Sequence, residues 1–111
     1  MILLILGLLI LPSACARKPK RIVIGIALTV SYHPAAVMAM NEINASGGIG
    51  GVPIELQGLD WKVTSQFNAP EILKWASLFA DEKDLVAVIG HSDSTSTLSA
   101  AAYYNQHQVP Q

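Results

Sequence analysis

Hydroxyl side chains are concentrated in one short stretch, residues 90–97, which reads GHSDSTST. Serine and threonine hydroxyls both donate and accept hydrogen bonds, so such a stretch can hold a small polar molecule. An apolar run precedes the stretch and a helical pattern follows it, which predicts unpaired N–H groups of a first helical turn beside the hydroxyls. Those groups and the helix dipole favour a carboxylate. The stretch therefore predicts a cradle for an amino acid or a similar polar solute.

The candidate ligand contacts in this loop are Ser92, Asp93, Ser94 and Thr95. Asp93 could meet a ligand ammonium group, and a solvated loop carboxylate is an equally good interpretation. Residues 94–97 could also act only as a helix cap, because serine and threonine are common in that role. The two roles are compatible with each other.

A second loop is expected to face the first across a crevice. It comprises residues 29–33, and its candidate contacts are Thr29 and Tyr32. Tyr32 and Trp61 could line the mouth of the crevice, since aromatic rings join an apolar face to a polar tip. Plain packing is the competing interpretation of both rings.

Catalysis is less favoured by these residues than binding. Residues 90–94 nearly match the G-x-S-x-G elbow of serine hydrolases, but Ser94 stands at the last position, where glycine permits the strained turn. No complete triad can be assigned, so a hydrolase is the weaker alternative and no catalytic residue is predicted. The three histidines, His33, His91 and His107, lack metal-ligand spacing, so neither a metal nor a cofactor is expected.

Charge excludes one class of partner. The chain of 111 residues has seven basic and eight acidic side chains and a net charge of -1. Nucleic acid requires a basic field that this balance does not provide, so no nucleic-acid partner is expected.

The hydrophobic pattern predicts an α/β fold of order βαβαβα. Prolines open the first two helices and glycines end the first. Each crossover is long enough for a right-handed parallel connection, and the position of the site is derived for the case of a 2-1-3 strand order. Ligands of such open sheets bind beyond the carboxyl ends of the strands where the order reverses, here between strands one and three.

The elements and their expected faces follow from spacing. The strands are predicted at residues 22–28, 53–59 and 85–89, with residues 109–111 as the first step into a fourth. The first helix opens at Pro34 and ends at Gly47, the second opens at Pro70, and the third covers about residues 96–107. The expected packing faces are Ala36, Ala39, Met40 and Ile43; Ile72, Trp75, Ala76 and Phe79; and Leu98, Ala101 and Ala102. The acidic group Asp81, Glu82 and Asp84 is expected in solvent after the second helix.

The N-terminus predicts export. Residues 1–11 are almost purely aliphatic but too short to span a bilayer, so residues 1–14 are interpreted as a signal peptide and residues 15–21 as a linker. The stretch before Cys15 resembles a bacterial lipobox, in which the cysteine is lipid-modified, although Pro12 replaces the preferred aliphatic residue. Ordinary cleavage at Ala14-Cys15-Ala16 is the alternative. Both routes predict an extracytoplasmic protein, in the periplasm or at the cell surface.

Three segments carry a resemblance to a known family: residues 21–28, residues 41–51 (NEINASGGIGG) and residues 86–92 (VAVIGHS). They resemble the N-terminal lobe of the periplasmic substrate-binding proteins of ABC transporters, specifically the branched-chain amino acid (leucine/isoleucine/valine) family. The resemblance covers almost everything after Arg17. It departs from the family in the loop after the first strand, which is shorter here.

The resemblance implies a partial doubly wound parallel sheet, lobe one of a type I periplasmic binding protein, in residues 22–111. It implies truncation before the hinge and an importer component that passes its ligand unchanged to ABC permease subunits. It maps the family's principal contact in this loop onto Ser94. The same lobe also occurs in receptors and signalling proteins, so a sensor is the alternative within the fold. A lone lobe is expected to bind weakly at most.

Overall fold

The computed structural model describes residues 21–60 and 68–111. Three strands alternate with three helices in the predicted βαβαβα order, with a short 3-10 turn, Val30–Tyr32, after the first strand. The strands are β1 (Ile22–Ala27), β2 (Ile54–Gln57) and β3 (Leu85–Gly90). The helices are α1 (His33–Ala45), α2 (Ala69–Ala80) and α3 (Ser94–Gln106).

The strands form one parallel sheet, as predicted, in the order β2-β1-β3 from which the position of the site was derived. β1 is central, and its last residue, Ala27, is paired with Gly90 at the end of β3. The carboxyl ends of β1 and β3 are therefore neighbours, and the loops that follow them begin at the same edge of the sheet.

The helices α2 and α3 cover one face of this sheet. As predicted, α2 packs through Ile72, Ala76 and Phe79, which are buried together with Ala27 and Val88. A Cβ atom at Gly25 would lie 2.6 Å from the Phe79 ring. Glycine at this position therefore lets α2 approach the sheet closely.

The predicted packing face of α3 is wrong. Leu98 is 74% exposed, whereas Ser96, Ala100 and Tyr104 form the buried side, with Tyr104 only 1% exposed. The helix carries small apolar residues on several sides, so its spacing alone does not select one face. The large ring of Tyr104 buries more apolar surface than Leu98 could, and its burial sets the rotation of the helix.

The helix α1 lies on the opposite face of the sheet. Its predicted stripe, Ala36, Ala39, Met40 and Ile43, faces the sheet isoleucines across an apolar cavity of about 250 Å³. The side chains of this α1 stripe are half-buried or exposed, so α1 covers its face of the sheet less completely than α2 and α3 cover the other face.

The turn between α1 and β2 is the most tightly specified connection. Gly47 and Gly48 take positive φ angles of 99° and 73°, as predicted for a glycine helix end. Asn44 then holds the start of β2, because its side chain accepts a hydrogen bond from the N–H of Ile54 and donates one to the C=O of Ile54, each at 2.8 Å. The asparagine amide thus substitutes for a neighbouring strand at the edge of the sheet.

Arg21 corrects the expectation that the acidic group after α2 is simply solvated. Its guanidinium pairs with Asp84 at 2.8 Å, Glu82 at 2.9 Å and Glu55 at 3.1 Å. The hydrogen bonds that Arg21 donates to Asp84 and Glu55 raise the pKa of Arg21. One cation therefore links the amino-terminal ends of all three strands, while Asp81 remains exposed.

The last residues continue along the free edge of β3. The N–H of Val88 donates to the C=O of Pro110 at 2.9 Å, and Val109 packs against the buried residues of α2 and α3. Residues 109–111 form no strand within the described structure, so the fourth strand stays a prediction.

Replacing Asn44 by alanine is expected to lower the free energy of unfolding by about 1–3 kcal/mol, because the N–H and C=O of Ile54 lose their partner. Urea denaturation followed by circular dichroism measures the change. Asn41→Ala is the matched control, since Asn41 is exposed on the same helix and the substitution changes helix propensity equally. Equal destabilisation by both variants would contradict the role of Asn44.

Candidate ligand-binding site

The two predicted loops meet at the carboxyl edge of the sheet. The N–H of Thr29, after β1, donates a hydrogen bond to the Oγ of Ser92, after β3, at 3.0 Å. Gly90 allows this approach, because it has a φ of 136° and a Cβ atom there would lie 2.5 Å from the C=O oxygen of Ala27. Only glycine fits at this position without moving the end of β1.

Asp93 caps α3. Its carboxylate accepts hydrogen bonds from the N–H of Ser96 at 2.9 Å and from the Oγ of Ser96 at 2.7 Å. These two hydrogen bonds hold the pKa of Asp93 below its usual value, and the bond from the N–H of Ser96 has the larger effect. The cap predicted within residues 94–97 is therefore provided one residue earlier, by a carboxylate.

Capping occupies some of the hydroxyls and leaves others available. Ser96 is buried against Asp93, and Thr97 donates to the C=O of Asp93 at 2.8 Å. The hydroxyl of Ser94 is exposed and forms no hydrogen bond within residues 21–60 and 68–111. Ser94 thus has a hydroxyl that can meet a ligand without breaking the cap.

An open depression of about 480 Å³ lies over this helix start. Its volume is in the range of small-molecule sites. The side chains that line it are His91, Ser92, Asp93, Ser94, Thr97 and Leu98.

The depression gathers some of the predicted contacts and not others. Ser92, Asp93 and Ser94 line it, and Thr29 is joined to it through Ser92. Thr95 is exposed beside it, and Tyr32, 56% exposed in the 3-10 turn, does not line it. Trp61, predicted at the mouth of the crevice, and Cys15 lie outside the described residues.

Sequence reasoning missed His91 and Leu98 as lining residues. Leu98 could have been found from its spacing, because residues four apart on a helix share a face and Leu98 follows Ser94 by four. His91 carries no comparable signal, since its placement depends on the packing of β3 against α3.

A larger depression, about 610 Å³, lies beside α1. It contains none of the predicted contact residues; its lining residues are Val30, His33, Pro34, Val37, Met38, Asn41, Glu42 and Leu59. Although it includes the start of α1, none of its lining residues carries a hydroxyl group. We therefore place the candidate site at the end of β3.

His91 and Tyr104 form the floor beneath the site. The Nε2 of His91 lies 3.3 Å from the Tyr104 hydroxyl, and His91 is only 8% exposed. Burial lowers the pKa of His91, with Asp93 acting in the opposite direction, and burial raises the pKa of Tyr104. Burial therefore favours the neutral form of His91 at pH 7.

Residues 21–60 and 68–111 include neither a candidate metal site nor a candidate membrane-spanning helix. They contain no group of three or more His, Cys, Asp or Glu side chains placed to hold a metal ion. None of the helices there has the length and hydrophobicity needed to cross a bilayer.

Comparison with known proteins identifies what this arrangement is similar to. The fold matches an ABC transporter substrate-binding protein from Desulfitobacterium hafniense in complex with leucine, with a TM-score of 0.69 and 29% identity over 81% of this chain. It matches equally a protein from Rhodospirillum rubrum described as a branched-chain amino acid ABC transporter, with a TM-score of 0.69 and 26% identity over 82% of this chain. An amino acid binding protein of Pseudomonas aeruginosa is 32% identical over 75 residues, 68% of this chain. No protein-family model matches the chain.

The chain is much shorter than these relatives. It spans 27% and 28% of the two solved structures and 19% of the Pseudomonas protein. Within that span, the fold class and the resemblance predicted from the sequence are confirmed, and the proteins it resembles are binding proteins.

Stability is expected to decrease as the pH falls below about 6.5, the ordinary pKa of histidine, because the unfolded chain then takes up a proton that buried His91 resists. Because the pKa of His91 is lowered in the folded protein, its contribution to stability is fully present above about pH 6.5. This contribution is lost as the pH falls towards the pKa of His91 in the folded protein. Urea denaturation between pH 7.5 and pH 5 measures this slope. His91→Gln is expected to reduce the slope, and parallel curves for the two proteins would contradict the assignment.

Proposed function

We propose, from the match to the first lobe of ABC transporter substrate-binding proteins, that this chain carries the first part of a solute-binding component for branched-chain or related amino acids. The component acts outside the cytoplasm and passes its ligand to an ABC permease without chemical change. Support comes from the three similar proteins, one of them in complex with leucine.

In this proposal the ligand carboxylate binds at the start of α3. The first-turn N–H groups of the helix provide partial positive charge there, and the exposed hydroxyl of Ser94 provides a donor. Thr95 and Ser92 contribute at the two sides of this contact. The carboxylate of Asp93 lines the same depression and attracts the ligand ammonium group while it caps the helix.

The observation that carries the proposal is the 3.0 Å hydrogen bond between Thr29 and Ser92. It joins the loop after β1 to the loop after β3, so both loops can contact one ligand at the point where the strand order reverses. Thr29 and Tyr32 then form the side of the cleft opposite α3. An open depression leaves much of a ligand exposed to solvent, so a second lobe is required for tight binding.

Export and anchoring form the second part of the proposal. Residues 1–14 direct the chain across the membrane, and lipid attached to Cys15 holds the product at the membrane surface near the permease. A single acyl chain binds membranes only marginally, so stable anchoring requires the multiple chains of a bacterial lipoprotein.

Ser94→Ala is expected to weaken leucine binding roughly tenfold, because a hydrogen bond to a charged group contributes about 1.5 kcal/mol or more. The chain, as a bacterial host processes it, is titrated with millimolar leucine and followed by saturation-transfer NMR. Ser99→Ala is the matched control, since Ser99 lies on the same helix outside the depression. Calorimetry should detect no tight binding; submicromolar affinity of this chain alone would contradict the need for a second lobe.

Cys15→Ser is expected to abolish incorporation of labelled palmitate and to move the protein from the membrane to the soluble fraction of the host. Unchanged fractionation with no label in the unsubstituted protein would favour ordinary cleavage at Ala14-Cys15-Ala16. Intact mass spectrometry of the product distinguishes the two forms directly.

A further inference from the structure

We infer that Leu98 forms an apolar wall beside Ser94 and contacts the aliphatic side chain of the bound amino acid. This inference rests on the function proposed above, and it assigns the specificity for the ligand side chain to a residue of this lobe. It concerns a side chain that the hydrophobic pattern would place in the core.

Leu98 is free to take this role because it is absent from the core. It is 74% exposed, while Ala100 and Tyr104 provide the buried side of α3. A single exposed leucine needs no explanation by itself. The informative observation is its position, since Leu98 lines the same depression as Ser92, Asp93 and Ser94.

Helix geometry directs Leu98 towards the proposed carboxylate position. Ser94 and Leu98 are four residues apart, so they lie on one face of α3 about one turn apart. Long side chains on a helix lean back towards its N-terminus, which places the Leu98 methyl groups over the turn that contains Ser94. A ligand held by its carboxylate at Ser94 can therefore extend its side chain along Leu98.

The surroundings of Leu98 favour an apolar side chain over a charged one. From Ser94 to Gln106 the helix has no charged residue, so nothing on α3 would pair with a charged ligand side chain. The polar groups of the depression belong to the loop and first turn, at residues 91–94, and to Thr97. The depression is thus polar at the helix start and apolar one turn later, which matches an amino acid with an aliphatic side chain.

The experiment compares leucine with alanine, which share the zwitterionic head and differ in the aliphatic side chain. The full chain, as processed by a bacterial host, is titrated with each amino acid and followed by saturation-transfer NMR. Leu98→Gln retains good helix propensity at an exposed position. Leu98→Ala is the second variant, and circular dichroism confirms that both are folded. Leu73→Gln is the matched control, because Leu73 is an exposed leucine of α2 outside the depression.

Both Leu98 variants are expected to reduce the preference for leucine over alanine about fourfold, as for the loss of roughly one buried methylene contact. Alanine binding should change little, and Leu73→Gln should change the binding of neither amino acid. An unchanged preference overturns the inference, whether both ligands weaken equally or neither does. If neither amino acid binds the unsubstituted chain while the fold is intact, the proposed function itself fails, and this result is distinct from a failure of Leu98 alone.

Discussion

The close approach of Gly90 to Ala27 is the constraint on which the site depends. A side chain at Gly90 would collide with the C=O of Ala27 at 2.5 Å, so the end of β3 can lie against the end of β1 only because the residue is glycine. That approach brings Ser92 within hydrogen-bonding distance of Thr29. Without it, the loops after β1 and β3 would separate and would not present their polar groups to one ligand.

At the start of α3, neighbouring residues have different roles: some cap the helix, and another provides the proposed ligand contact. The carboxylate of Asp93 accepts hydrogen bonds from the N–H and the hydroxyl of Ser96, and the hydroxyl of Thr97 donates one to the C=O of Asp93. Ser94 lies between them with its hydroxyl exposed. A ligand can therefore bind Ser94 without competing for the cap, so the helix remains intact whether the depression is filled or empty.

The two faces of the sheet differ in how completely they are covered. One face is sealed by α2 and α3 around Phe79 and Tyr104, and the other retains a cavity of about 250 Å³ beneath α1. Ion pairing by Arg21 at the amino ends of the strands and the Asn44 bridge to β2 hold the sheet together where packing is weaker. The site is at the opposite end of the sheet from Arg21, so the residues that stabilise the sheet are separate from those proposed to bind ligand.

The sequence by itself determined the element order, the glycine helix end at Gly47 and Gly48, and the loop that holds Ser92, Asp93 and Ser94. These features depend on local propensity and on periodicity over a few residues, which a sequence displays directly. Only the tertiary structure decided which side of α3 is buried and that Glu82 and Asp84 meet Arg21. Those outcomes depend on contacts between residues distant along the chain, where the burial of Tyr104 and the position of one guanidinium outweigh local preference. For the same reason Leu98, expected in the core, lies beside Ser94 at the candidate site.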